Sequence, residues 1–147
     1  MKEHRHIGAY GLIIDNDEIL LIKKKTGPYD GKLDLPGGTI EMNEKPSEAL
    51  IRELKEEVGI SVLDFKLFDV DSVSVKWDCH NEIINVHHIG IFYKVLNYDG
   101  DIIKDNIIDD VNDDSMGASF YKINELSKDN LSKIAIMELE KLGYVLK

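Results

Sequence analysis

Residues 38–60, GTIEMNEKPSEALIRELKEEVGI, decide how the rest of the 147-residue chain is read. Pro46 to Val58 predicts a helix. A proline fits the first helical turn, where its missing N–H costs no hydrogen bond, and Gly59 supplies the stop. At about 100° per residue, with Glu53 as origin, Glu56 falls near −60° and Glu57 near +40°. Leu50, Ile51, Leu54 and Val58 fall on an adjoining apolar face. Three carboxylates therefore share one face, and Arg52 lies beside Glu56 one turn away. Like charges at i+3 and i+4 repel by a few tenths of a kcal/mol per exposed pair, and more when partly buried. Hard oxygen donors this crowded are what Mg²⁺ or Mn²⁺ binds. A Glu-rich helix is ordinarily a solvated face. Here the acidic stripe adjoins the apolar one instead of opposing it, and the Pro36-Gly37-Gly38 turn stands just upstream.

Around this segment, His6–Ile14 and Glu18–Lys24 read as strands with a turn at Asp15–Asp17, and Lys25–Gly38 is rich in turn formers with a short strand piece at Lys32–Leu35. Ser61–Val75 and Glu82–Leu96 are β-rich, Asp99-Gly100-Asp101 looks like a hairpin turn, and Asp109–Ser115 is an acidic loop. Ser119–Ile123 reads as a short strand and Leu131–Leu142 as a closing amphipathic helix. The order predicts an α+β or α/β domain over residues 1–147, a mixed, largely antiparallel sheet sandwiched between helices.

Composition narrows the function. Apolar residues are 43% and charged residues 31%, which supports one core and argues against disorder. The longest apolar runs, such as Ile19–Ile22, are four residues, so no membrane span is expected, and the start has no signal-like apolar region; a cytoplasmic protein is the expectation. A net charge of −10 disfavours binding to a nucleic-acid backbone. An anionic small molecule would need an intervening cation. The single Cys79 forms no internal disulfide and no cysteine zinc site, and nothing near it activates a thiolate. His4, His6, His80, His87 and His88 lack zinc-ligand spacing and read as structural. Asp110-x-Asn112-x-Asp114 starts like an EF-hand, but Ser115 stands where glycine is needed and Tyr121 where the bidentate glutamate belongs.

The segment resembles the Nudix box: a glycine, five residues, a glutamate, seven residues, then R-E-aliphatic-x-E-E-x-G-aliphatic. All nine specified positions match, through Gly38, Glu44, Arg52, Glu53, Leu54, Glu56, Glu57, Gly59 and Ile60. Leu35–Gly38 and Phe120–Leu126 also look like family elements, and the box is similar to that of MutT-type nucleoside triphosphate pyrophosphohydrolases. The resemblance implies the Nudix fold. It implies that Glu53, Glu56 and Glu57, with the Gly38 carbonyl, hold Mg²⁺ or, as a substitute, Mn²⁺. Arg52 would orient the glutamates through ion pairs, one of them to Glu44, and Gly37 would let the backbone approach phosphate. The implied catalytic set is Glu53, Glu57, Arg52 and Glu44, and the reaction is hydrolysis of a nucleoside diphosphate linked to a second group.

Within that reading a triphosphate yielding monophosphate and pyrophosphate is expected first, including modified nucleotides. Another nucleoside diphosphate derivative (a nucleotide sugar or ADP-ribose) and a non-catalytic nucleotide-sensing module are the alternatives. No proline follows Pro46, so the ADP-ribose hydrolase marker is missing. The tyrosine associated with dinucleoside polyphosphate hydrolases is also absent, and Leu33 replaces the tryptophan many members carry before Leu-Pro-Gly-Gly. The general base is Glu53 by position on the helix, with Glu82 or an acid among Asp109, Asp110, Asp113 and Asp114 as alternatives. Lys23, Lys24 and Lys25 close the second strand, and Lys24 is the expected phosphate contact. Trp77, the single tryptophan, either stacks a base or fills core. Dimers are common in the family, so a homodimer is compatible with the resemblance, but no interface is legible.

Overall fold

A computed structural model describes residues 1–103 and 115–147. The acidic positions Asp109, Asp110, Asp113 and Asp114 lie outside the described residues. In chain order come β1 (Lys2–Leu12), β2 (Ile14–Asp15), β3 (Glu18–Lys24), β4 (Leu33–Asp34), β5 (Gly37–Thr39), α1 (Pro46–Val58), β6 (Ser61–Cys79), β7 (Glu82–Asp99), β8 (Ser115–Lys122) and α2 (Lys133–Lys141). They form two four-stranded sheets where the sequence suggested one. The first runs β5-β1-β7-β6; in the second, β3 pairs with β2, β4 and β8. Among the described strands β1 and β7 pair in parallel, and the other ladders are antiparallel.

Successive side chains of a strand point to opposite faces, and here both faces are covered. From β3, Leu20 and Ile22 pack with Ala49, Leu50, Leu54 and Val58 of α1. Their neighbours Ile19 and Leu21 pack with Ile134, Ala135 and Leu139 of α2. The uninterrupted run Ile19–Ile22 is thus a strand covered on both sides, each residue 0% exposed. Each such side chain contributes about 1.5–3 kcal/mol on burial. Ile51, at the edge of the predicted apolar face of α1, is 39% exposed.

Helix α1 has the predicted bounds. The Lys45 N–H donates to the Glu48 carboxylate at its start. At its end Gly59 adopts φ +84° and returns its N–H to the carbonyls of Leu54 and Lys55. The predicted turn at Asp99–Asp101 is not a hairpin. The chain leaves β7 there and crosses the C-terminus of α1, where Ile103 N–H donates to the Val58 carbonyl at 2.8 Å and satisfies a helix-end acceptor. The hairpin turn is His80–Asn81, with φ +50° and +65°, joining β6 to β7. Positive φ at both central residues matches the twist of the flanking strands. Among the described residues, no helix is long and apolar enough to cross a membrane.

Candidate active site

The N-terminus of β5 and the carboxylate face of α1 open on a cleft of about 640 Å³. Gly37 brings β5 against β1: a Cβ on it would stand 2.1 Å from the Ala9 carbonyl oxygen and 2.7 Å from the Tyr10 Cα. Its N–H donates to Glu57 Oε1 at 2.9 Å, which fixes a carboxylate that is only 9% exposed. A Cβ on Gly38 would lie 2.9 Å from both carboxylate oxygens of Glu53. The two glycines therefore let α1 press its carboxylates onto the turn.

Arg52 organises this wall. Nε and Nη2 donate to the two oxygens of Glu44 at 2.7 and 2.9 Å, a fork no lysine reproduces. Nη1 donates to Glu53 at 3.0 Å and to Glu56 at 3.3 Å, and Nη2 also donates to the Thr39 carbonyl at 3.0 Å. Hydrogen bonds from Arg52, joined by one from the Glu41 N–H, hold the Glu44 carboxyl down at about 2. Burial pushes Glu53 the other way, above the usual carboxylate range, against the pull of Arg52. Among the described residues, no three histidine, cysteine, aspartate or glutamate side chains already converge as a metal cage. Arg52 stands between Glu53 and Glu56, and Glu56, largely exposed, is the one with room to swing.

Gly37, Gly38, Arg52, Glu53, Glu56 and Glu57 all line the cleft, and of the three lysines closing β3 only Lys24 does. Glu44 stands behind the wall, holding Arg52. Two expectations fall elsewhere. Trp77 lies on β6 opposite Ile84, near the tip of the long hairpin and away from the cleft. Glu82 opens β7 and pairs with Lys2 at 3.2 Å on the surface, so as an alternative base it does not face the cleft.

A second set of cleft residues was not singled out from sequence. His6 and Tyr10 on β1, His88 on β7 and Tyr29 in the β3–β4 loop form one cluster. His88 is 2% exposed, with Nε2 2.6 Å from the Tyr10 hydroxyl and Nδ1 2.8 Å from that of Tyr29. The His6 ring stacks on it at 4.7 Å, and His6 Nε2 meets the Thr39 hydroxyl at 2.8 Å. Burial drives His88 down to about 3, so the ring is neutral, and pushes the hydroxyls of Tyr10 and Tyr29 up. Asp34, 1% exposed, also lines the cleft; its Oδ1 accepts from the Leu35 N–H and the Ser132 hydroxyl. His6 and His88 thus stand apart from the other histidines: they are packed, and they face the cleft.

The chain is 34% identical over 125 residues to the ADP-ribose pyrophosphatase of Methanocaldococcus jannaschii, covering 85% of this chain and 66% of that protein. It is 45% identical over 63 residues to the 8-oxo-dGTP diphosphatase of Escherichia coli K12, covering 42% of this chain and 49% of that one. The aligned part thus spans about half to two thirds of these relatives. The MutT NUDIX hydrolase structure from Burkholderia pseudomallei shares the fold, with a TM-score of 0.75, 24% identity, and coverage of 95% of this chain and 98% of that one. The NUDIX domain family model matches residues 4–138, which take in the cleft, all of α1 and the first part of α2, and the chain belongs to the NUDIX family.

Proposed function

We propose that the cleft hydrolyses a phosphoanhydride in a nucleoside diphosphate linked to a second group, with a nucleoside triphosphate cleaved to monophosphate and pyrophosphate as the preferred reaction. The observation that carries this reading is the fastening of Glu44, Glu53 and Glu56 by one guanidinium beside the Gly37–Gly38 turn. Crowded anions tied by a fork, with Glu57 on a backbone N–H, are an arrangement for charge chemistry more than for stability.

A divalent cation fits the donor set, because all the side-chain donors are hard carboxylate oxygens. Glu53, Glu56 and Glu57 would hold Mg²⁺, or Mn²⁺ in its place, with the Gly38 carbonyl as a further ligand. Such an ion, when bound, neutralises the charge of the phosphate oxygens in a protein that itself carries −10. Arg52 keeps Glu53 and Glu56 oriented while Glu44 anchors Arg52. Lys24 contacts a phosphate oxygen of the substrate, and Gly37 lets the phosphate chain approach the backbone. Glu53 takes the proton of the attacking water as its oxygen bonds to phosphorus and the bridging P–O bond breaks toward the leaving phosphate. Burial raises the affinity of Glu53 for that proton.

A second reading, ADP-ribose as substrate, is favoured by the archaeal relative, whose similarity covers 85% of this chain. One experiment separates the readings. Deoxynucleoside triphosphates, 8-oxo-dGTP, ADP-ribose and a nucleotide sugar are incubated with the protein and Mg²⁺ or Mn²⁺. Phosphate is measured with and without inorganic pyrophosphatase for the triphosphates, and with and without alkaline phosphatase, which attacks the phosphomonoester products but not the intact substrate, for ADP-ribose and the nucleotide sugar. Phosphate appearing from triphosphates only when pyrophosphatase is present supports the preferred reaction. Turnover of ADP-ribose alone, to AMP and ribose 5-phosphate, moves the assignment to the second reading. No turnover with either ion rejects the enzyme and leaves a nucleotide-sensing module.

A further inference from the structure

The cluster of His6, Tyr10, Tyr29 and His88 takes no part in the chemistry above, yet it lines the same cleft. Its hydrogen-bond arithmetic has one satisfactory solution. A neutral imidazole carries one donor and one acceptor, and the partners of His88 are two phenols. One phenol must donate to the ring and the other must accept from it. Tyr10 is 2% exposed and its ring packs over Gly8, where a Cβ would stand 2.5 Å from the hydroxyl oxygen. Among the described residues its hydrogen-bond partner is His88, so its proton goes to Nε2; the opposite arrangement leaves this buried O–H unsatisfied. His88 Nδ1–H then donates to Tyr29. The hydroxyl proton of Tyr29, nearer the surface at 8% exposure, remains to be directed into the cleft.

We propose that this hydroxyl is a specificity donor, held by the Tyr10–His88 relay, which reads an acceptor atom on the uncharged base of the bound nucleotide. The subsite rests on the nucleotide reading of the cleft given above. The base is the part of the substrate that suits it. The imidazole and both phenols are uncharged at neutral pH. Pro28 and Val86 give the lining flat apolar surface beside the stacked rings of His6 and His88. Arg52 and the glutamates of α1 belong to the other wall, while Lys24 and Asp34 border the cluster, Lys24 acting on His88 and Asp34 on both phenols. His6 joins the two walls, because the Thr39 it meets through its hydroxyl receives Arg52 on its carbonyl. A phosphate would gain nothing from a neutral donor when cations stand next to it, whereas a carbonyl or ring nitrogen of a base would.

Calorimetry with the four nucleoside 5′-monophosphates and with ribose 5-phosphate, all with Mg²⁺, tests the subsite without depending on turnover. In Tyr29→Phe at least one nucleoside monophosphate should bind about tenfold more weakly, the range of one lost hydrogen bond, with ribose 5-phosphate unchanged. Equal weakening of both kinds of ligand, or no weakening of any monophosphate, overturns the proposal. Nitrogen-15 NMR of His88 in the unmodified protein is the second measurement and needs no variant to fold. Nδ1 protonated and Nε2 bare is expected; the opposite tautomer puts the spare proton on Tyr10 and overturns it. If no substrate is hydrolysed while Tyr29→Phe still weakens monophosphate binding, the hydrolase reading falls and the subsite stands. Normal turnover with unaltered binding in Tyr29→Phe gives the reverse.

Discussion

Glu44 and Glu138 each face a basic side chain, yet their acidities move in opposite directions. Glu44 receives two N–H groups of Arg52 and a backbone N–H, and its carboxyl falls to about 2. Glu138, on α2, is 0% exposed, and neither of its oxygens accepts a hydrogen bond. Lys141, 3.9 Å away, spends its ammonium on Asp69 at 2.6 Å and on Asp71. Burial therefore dominates, and Glu138 rises to about 8, with Asp69 pushing the same way. The difference teaches that a cation nearby does not make a carboxylate ionic; the hydrogen bonds it directs there do. Before α1, Glu44 is kept charged by the same guanidinium that aligns Glu53 and Glu56 along the cleft. In α2 the acid is packed as part of the core and holds its proton.

The strongest way to break the contrast is at the α1 wall. Glu57→Gln keeps an oxygen for the Gly37 N–H but removes a negative charge, so the fold should persist while turnover falls roughly 10²–10³-fold, the scale of losing one preorganised charge-stabilising group. Steady-state rates beside thermal melts check this, and unchanged rates would remove Glu57 from the proposed ion site. Arg52→Met should lose activity and about 1–3 kcal/mol of stability, since it strands Glu44 and Glu53 together. Arg52→Lys should recover only part of either, because an ammonium cannot fork.

The α2 side predicts the reverse sign. A carboxyl raised from 4.5 to about 8 by folding costs stability progressively as pH rises through that window. His88, lowered from 6.5 to about 3, loses stability as pH falls through its own window, and Glu44 does so below 4.5. Above pH 6.5 only Glu138 of these three still titrates. The melting temperature should drop between pH 6.5 and 8.5, and Glu138→Gln should flatten that drop and raise the pH 8 value by about 2–5 °C. A melting temperature that holds level in the unmodified protein would contradict the protonated state of Glu138. The smallest effects belong to the residues the fold carries away from the cleft. Glu82→Gln and Trp77→Phe should each change kcat/KM by no more than about twofold, because an exposed pair such as Glu82–Lys2 is worth about 0–1 kcal/mol and touches no cleft residue. A hundredfold loss in Glu82→Gln would restore it as a base.

Legibility follows the range of the interactions. Helix α1 is readable to the residue because its cap, its stop and its apolar face are local. Strands β6 and β7 run past their predicted ends at Val75 and Leu96 to Cys79 and Asp99. The apolar–polar alternation in fact continues through both ends, as Val75-Lys76-Trp77-Asp78-Cys79 and Leu96-Asn97-Tyr98-Asp99, so this extra length is legible in the local pattern. Helix α2 begins two residues late, since Ser132 caps it by accepting the Ala135 N–H and Leu131 bridges to Leu33 instead. The glutamate and glycine positions of the cleft are legible for the same reason as α1. Tyr29 and Asp34 are not, as they sit in turn-rich sequence with no periodicity.

Spacing along one helix follows from 3.6 residues per turn, so the sequence alone determined that Glu53, Glu56 and Glu57 share a face and that Arg52 lies beside Glu56 one turn away. The meeting of His6 with His88, and of both with Tyr10 and Tyr29, was decided by the tertiary structure. It depends on the parallel register of β1 on β7, His6 opposite His88, between strands from opposite halves of the chain. Two sheets clamped between two helices supply that register through the packing of many side chains at once, which no local pattern encodes.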